Sequence, residues 1–163
     1  MTSRPPISPF NSSIETGIRS LTILVAGYPN SFDLERLIEM DYLVVHSGDA
    51  DGPSSLHVSL PMREGQLLVR RELIEKGLLL MMSRNLVQRT PDKKGFNYLA
   101  GETASPFLKS LASPYSQKLK ERASWVIDNF ADVPTVSIRK TTRKLFKNWS
   151  EQFQVTDKLG DIR

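Results

Sequence analysis

Residues 84–99 constrain the fold more than any other stretch, because they interrupt a sequence otherwise patterned for helices. They read Arg84-Asn85-Leu86-Val87-Gln88-Arg89-Thr90-Pro91-Asp92-Lys93-Lys94-Gly95-Phe96-Asn97-Tyr98-Leu99. Asn85 suits the left-handed conformation that ends a helix. Leu86 to Arg89 and Phe96 to Leu99 are short extended runs, with turn chemistry at Pro91-Asp92 and Gly95 between them. A helix stop, two short strands and a charged tip outline a β-hairpin wing.

Three helices are expected before it. Ser12-Ser13-Ile14-Glu15 offers a capping box, and Ile14, Ile18, Leu21 and Val25 follow at helical spacing. Gly27-Tyr28-Pro29-Asn30 ends that helix. Ser31 is placed to cap the second, with Asp33 and Glu35 at its positive end and Leu34, Ile38, Tyr42 and Val45 as its buried stripe. The third runs over about 65–84, with Leu67, Ile74, Leu78 and Met81 on one face. Gly77 inside it costs about 1 kcal/mol relative to alanine and is a place for a kink or a split. After the hairpin, Thr103 or Ser105 opens a short helix carrying Phe107, Leu108 and Leu111. Ser113-Pro114 opens a longer one, with Tyr115, Leu119, Ala123, Val126 and Phe130 on one face. A last helix, about 135–153, sets Ile138, Leu145, Trp149 and Phe153 against a basic face.

The expected fold is therefore mainly α with a small β-hairpin wing: a winged helix-turn-helix core plus a C-terminal helical extension. The chain divides into a flexible tail (1–13), a winged-helix domain (14–131) with an inserted loop (47–64), and a basic C-terminal helix and tail (132–163).

That loop concentrates polar chemistry. A connection of 18 residues is long for a small domain, and such loops are often functional. A short helical turn is expected near 54–58. His46, Asp49, Asp51 and His57 are the donor types of a mixed histidine–carboxylate metal site. A calcium loop fails on inspection, since placing Asp49, Asp51 and Gly52 in register puts Ser47 first and Val58 where the bidentate glutamate belongs. The Gly-x-Ser-x-Gly spacing of a serine hydrolase is absent, as is any glycine-rich phosphate loop. The plainer reading makes Asp49 to Ser55 turn formers and caps, with His57 packed on the core. No catalytic, cofactor-binding or metal-binding residue is expected.

The chain has no cysteine, which removes disulfides, a thiol nucleophile and thiolate zinc sites. Its longest apolar run, Leu78 to Met82, is too short for a membrane span, and the first ten residues do not resemble a signal peptide. A cytoplasmic protein is expected. Charge is uneven: residues 1–60 hold 3 basic and 7 acidic side chains, residues 61–163 hold 19 and 11. A basic C-terminal half attracts phosphates or an acidic partner. The candidate contacts are Arg70 and Arg71 on the third helix, Arg84 and Arg89 at its exit, Lys93 and Lys94 at the wing tip, and Arg139, Lys140, Arg143, Lys144 and Lys147 on the last helix. Wing-tip lysines suit phosphate contacts, which give affinity without sequence reading. A DNA-reading helix-turn-helix, however, joins its helices with about 3–4 residues, and the inserted loop is placed to cover the groove-facing surface.

The runs Met40-Asp41-Tyr42-Leu43-Val44-Val45-His46-Ser47-Gly48-Asp49 and Gly52-Pro53-Ser54-Ser55-Leu56-His57 carry a more specific message. They resemble the type-2 middle components of bacterial ABC three-component conflict systems, a group that includes Lamassu-like defence. The similarity continues through Val69-Arg70-Arg71, Gly77-Leu78, Asn85-Leu86-Val87, Tyr98, Phe107, Leu111, Tyr115, Leu119 and Glu121-Arg122-Ala123-Ser124-Trp125. It covers about residues 14–130. The resemblance implies a non-enzymatic adaptor with a winged-helix core, working beside an SMC-like ABC ATPase that senses DNA and an effector, often a nuclease. It implies that Asp41, His46, Ser55 and His57, together with Asp49 in the same loop motif, are structural fasteners. The competing readings are a free-standing winged-helix DNA-binding regulator and, more remotely, a metal-dependent hydrolase built on His46, Asp49, Asp51 and His57.

Overall fold

The computed structural model describes residues 12–57 and 64–145, with side chains for all of these except 64–68. Helix α1 (Ser13–Gly27) starts where the Ser12 hydroxyl accepts the Glu15 amide at 3.2 Å. Strand β1 (Phe32–Asp33) leads directly into α2 (Leu34–Val45). The cap of α2 is Asp33 rather than Ser31: its carboxylate accepts the Arg36 amide at 2.8 Å. A 3-10 turn, Ser47–Ala50, follows, so the helical turn of the loop lies earlier than the expected 54–58. Helix α3 (Glu64–Ser83) then precedes β2 (Val87–Asp92) and β3 (Gly95–Ala100). Helices α4 (Ala104–Ser110) and α5 (Pro114–Phe130) come next. Residues 135–145 are also helical (α6), and the remainder of the expected last helix lies outside the described residues.

Among the described residues the fold is mainly helical with one small antiparallel sheet, ordered β1-β3-β2. Asn85 ends α3 with φ 59°, as its residue type suggested. The hairpin runs in register from Val87 opposite Ala100 to Asp92 opposite Gly95. Only Lys93 and Lys94 connect the strands, so Thr90, Pro91 and Asp92 belong to β2 rather than to the turn. Pro91 is tolerated there because β2 is an edge strand. The third strand, β1, pairs Phe32 with Tyr98 and Asp33 with Asn97. Two residues are too few for an alternation pattern to announce them.

Helix α1 is the centre of the molecule, packed against α3 on one side and α5 on another. Leu21, Ile23 and Leu24 are fully buried, and so nearly are Thr16, Arg19 and Ser20, whereas Ile14 is 59% exposed. The single stripe expected from Ile14, Ile18, Leu21 and Val25 is therefore replaced by burial around most of the helix. The core continues through Leu37, Met40 and Leu43 of α2, Ile74 and Leu78 of α3, Val126 of α5 and Ile138 of α6.

Gly77 neither kinks nor splits α3; it is the contact point with α1. A β-carbon on Gly77 would stand 2.6 Å from the Gly17 amide nitrogen, and one on Gly17 would stand 2.8 Å from the Gly77 carbonyl oxygen. Both obstacles are backbone, so the helices must separate to admit a methyl group. Gly77→Ala gains about 1 kcal/mol of helix propensity and incurs an overpacking cost of up to about 3 kcal/mol. The expected net loss is about 2 kcal/mol in urea unfolding. An unchanged or raised midpoint would show that the helices separate without penalty.

Candidate functional site

The loop motif gathers at a buried polar junction where α1, α2, α3 and α5 meet. Asp41 is 0% exposed and accepts from Arg19 Nε at 2.9 Å and from an Arg70 terminal nitrogen at 2.5 Å. Burial alone would raise its pKa; the two guanidinium groups outweigh that and hold it at about 2. Arg70 also sits 5.4 Å over the Tyr42 ring. The His46 ring lies 4.8 Å from that of Tyr42 and meets His57 edge-on at 6.5 Å. His57 Nε2 and the Tyr115 hydroxyl are 3.0 Å apart. Burial, then the positive charge of Arg70 and the neighbouring His57, push His46 down to about 4. Burial, then Arg19, puts His57 at about 4 as well. Both rings are neutral at pH 7.

Hydrogen bonds fold the loop back on itself and onto α5. Leu56 and His57 amides both donate to the Val45 carbonyl, at 3.0 and 3.1 Å. The Ser47 hydroxyl donates to the Pro53 carbonyl at 2.8 Å, and the Ser55 hydroxyl accepts the Gly48 amide at 3.0 Å. Arg122, buried on α5, reaches the Ser54 carbonyl through Nε at 3.2 Å and a terminal nitrogen at 3.0 Å. Trp125 lies so close to Gly52 that a β-carbon there would stand 2.4 Å from its ring. Asp49 lies near enough to Tyr42 to raise its pKa, after burial. Among the described residues no three histidine, aspartate or glutamate side chains are grouped to hold a metal ion, so His46, Asp49, Asp51 and His57 do not converge.

Several candidate cations prove to be occupied within the fold. Arg70 pairs with Asp41; Arg71 pairs with Glu35 and lies 3.6 Å from Glu75. Arg139 bridges Glu35 at 3.1 Å and Glu39 at 3.3 Å, tying α6 to α2. Arg84, Arg89, Lys93, Lys94, Lys140, Arg143 and Lys144 are exposed, and Lys147 lies outside the described residues. Arg89 stacks on Phe96, 4.2 Å from the ring centroid.

Sequence reasoning missed Arg19, Arg36 and Arg122, all of which organise the fold. Arg36 clasps the turn between α5 and α6, donating to the carbonyls of Phe130 at 2.7 Å, Ala131 at 2.6 Å and Val133 at 2.8 Å. Phe130 and Ala131 end α5, where carbonyls lack partners in a next turn, and Phe130 also accepts the Val133 amide at 3.1 Å. Arg36→Ala leaves the three carbonyls without that cation, and charge-assisted bonds contribute about 1.5–3 kcal/mol. The expected result is a loss of about 2 kcal/mol, with amide exchange accelerating first in residues 131–145. Uniform acceleration across the whole chain would contradict a local clasp.

A family model described as ABC-three component (ABC-3C) system Middle Component 2 matches residues 9–152. Comparison with curated proteins and with solved structures gave no match. No helix among the described residues is long and apolar enough to cross a membrane.

Proposed function

The chain belongs to the family of ABC three-component system middle component 2, and on that premise we propose that it is a non-enzymatic adaptor linking an SMC-like ABC ATPase to an effector such as a nuclease. The setting is bacterial anti-phage or anti-plasmid defence in the cytoplasm, with the ATPase sensing DNA. The observation that carries a protein-binding role is the outward face of α3. In a winged-helix reading of the order α1-β1-α2-α3-β2-β3, this helix is the one that enters the major groove. Its exposed residues include Val69, Glu72, Glu75, Lys76 and Leu79. Two carboxylates and two aliphatic side chains suit a protein surface better than a phosphate backbone. Arg70 and Arg71, the arginines of the same helix, are held by Asp41, Glu35 and Glu75. Lys93 at the hairpin tip and the exposed cations of α6 remain suited to nonspecific contact with DNA by the assembled complex.

The test is an affinity pull-down of the tagged chain from its native host, with and without nuclease, read by mass spectrometry. An ABC ATPase and a second protein retained after nuclease treatment is the expected result. Recovery of the chain alone, with DNA lost on nuclease treatment, would favour a free-standing winged-helix regulator.

A further inference from the structure

A groove of about 380 Å3 lies between the outer face of α3 and the β2–β3 hairpin. Leu79 on α3 and Phe96 on β3 both line it, with 54% and 47% of their surfaces exposed. They are the groove's two strongly exposed apolar side chains, one on each wall. The charges around this pair are not balanced alike. Asp33, also in the lining, accepts the Arg36 amide as the cap of α2; Glu35 is matched by Arg71 and Arg139, and Glu75 by Arg71. Arg89 and Lys94, at the hairpin side, form no ion pair among the described residues. The unmet demand of the groove is thus one apolar side chain and negative charge placed on the hairpin side only.

Duplex DNA meets that demand poorly. Its phosphates recur about every 3.4 Å along each strand, so a backbone lying against Arg89 and Lys94 also runs past Glu72 and Glu75 on the facing helix. A peptide places its charge at one point and lays apolar surface elsewhere. We propose that this groove docks an acidic segment of a protein partner. An aliphatic or aromatic side chain of that segment inserts between Leu79 and Phe96, and a neighbouring aspartate or glutamate meets Arg89 and Lys94. Burying an apolar anchor beside an arginine-stacked aromatic ring is the arrangement that concentrates binding energy in a few residues. The inference rests on the adaptor reading and assigns that reading a surface.

The experiment uses the full chain co-purified with the other two components of its own three-component system. Leu79→Asp and Lys94→Glu, both at exposed positions, are expected to weaken assembly by about tenfold or more, with the thermal midpoint of the isolated chain unchanged. A photocrosslinker at position 96 then identifies the partner segment. Changing the acidic residue at that crosslink to lysine is expected to restore binding to the Lys94→Glu chain. Assembly of the wild type with both variants binding equally well overturns the groove and leaves the adaptor reading standing. Failure of the wild type to assemble overturns both. Variants that lose duplex DNA but not the protein partners make the groove a nucleic-acid surface and overturn the proposal.

Discussion

Asp41→Ala is expected to cost about 3–5 kcal/mol of folding stability, the range for removing one partner from a buried ion pair. A domain of this size holds about 5–15 kcal/mol in total, so the variant stands close to unfolding. The magnitude follows from what is left behind. Asp41 is completely buried and accepts from both Arg19, itself nearly buried, and Arg70. Without it, two guanidinium groups face each other in a dry junction. Arg70→Met is expected to cost less, because Arg19 keeps its carboxylate and the Arg70 side chain is 15% exposed in the first place. Urea titrations followed by circular dichroism separate the two. A loss below about 1 kcal/mol for Asp41→Ala would mean that water reaches the junction and screens the charges.

The same residues show which parts of the fold a sequence reader can see. The hairpin was legible because its cues are local: Asn85 takes φ 59°, Gly95 takes φ 137°, and extended runs flank a lysine turn. Ser113-Pro114 opened α5 for a similar reason, since cap chemistry acts within one helical turn. The Asp33 cap was displaced from Ser31 by pairing of Phe32 and Asp33 with β3, a partner 66 residues away for Phe32. Helix α1 was misjudged for a tertiary reason too. Thr16, Gly17 and Ser20 look like the polar side of an amphipathic helix, yet they are small enough to let α3 approach closely.

The candidate site divides along the same line. The loop residues around His46 and His57 were visible as a dense polar cluster, and their hydrogen bonds close the loop on itself and reach Tyr115 of α5. The fate of the arginines was not visible. Arg70 and Arg71 are adjacent on one helix, and nothing local says that one meets Asp41 of α2 and the other Glu35. Arg36 acts on carbonyls almost a hundred residues away. A charged side chain embedded in an apolar helix, as Arg19 is within α1, was the one sequence cue to a buried partner, because an unpaired charge there is too costly to persist.

Lowering the pH from 7 to about 4 is expected to remove several kcal/mol of stability, and the two histidines set the window. An unfolded histidine titrates near 6.5, and His46 and His57 in the folded chain near 4. Above pH 6.5 neither state takes up the proton, and the stability is fully present. Between about 6.5 and 4 the unfolded chain binds protons that the folded chain refuses, so stability falls as pH falls. His46 contributes about 3 kcal/mol at one pKa unit per 1.36 kcal/mol; His57, partly exposed, contributes less. The rings face each other and Arg70, Arg19, Asp41, Tyr42 and Tyr115; a charge on His57 opposes one on His46, and only Asp41 favours the protonated forms. Asp41 adds a separate loss between about 3.8 and 2, where its own folded and unfolded pKa values differ. Urea unfolding at pH 7.5, 5.5 and 4.5 reads the slope directly. His46→Gln, which cannot titrate, is expected to be less stable than the wild type at pH 7.5 and to lose markedly less on acidification. If its slope equals that of the wild type, the buried imidazole is not what the acid attacks.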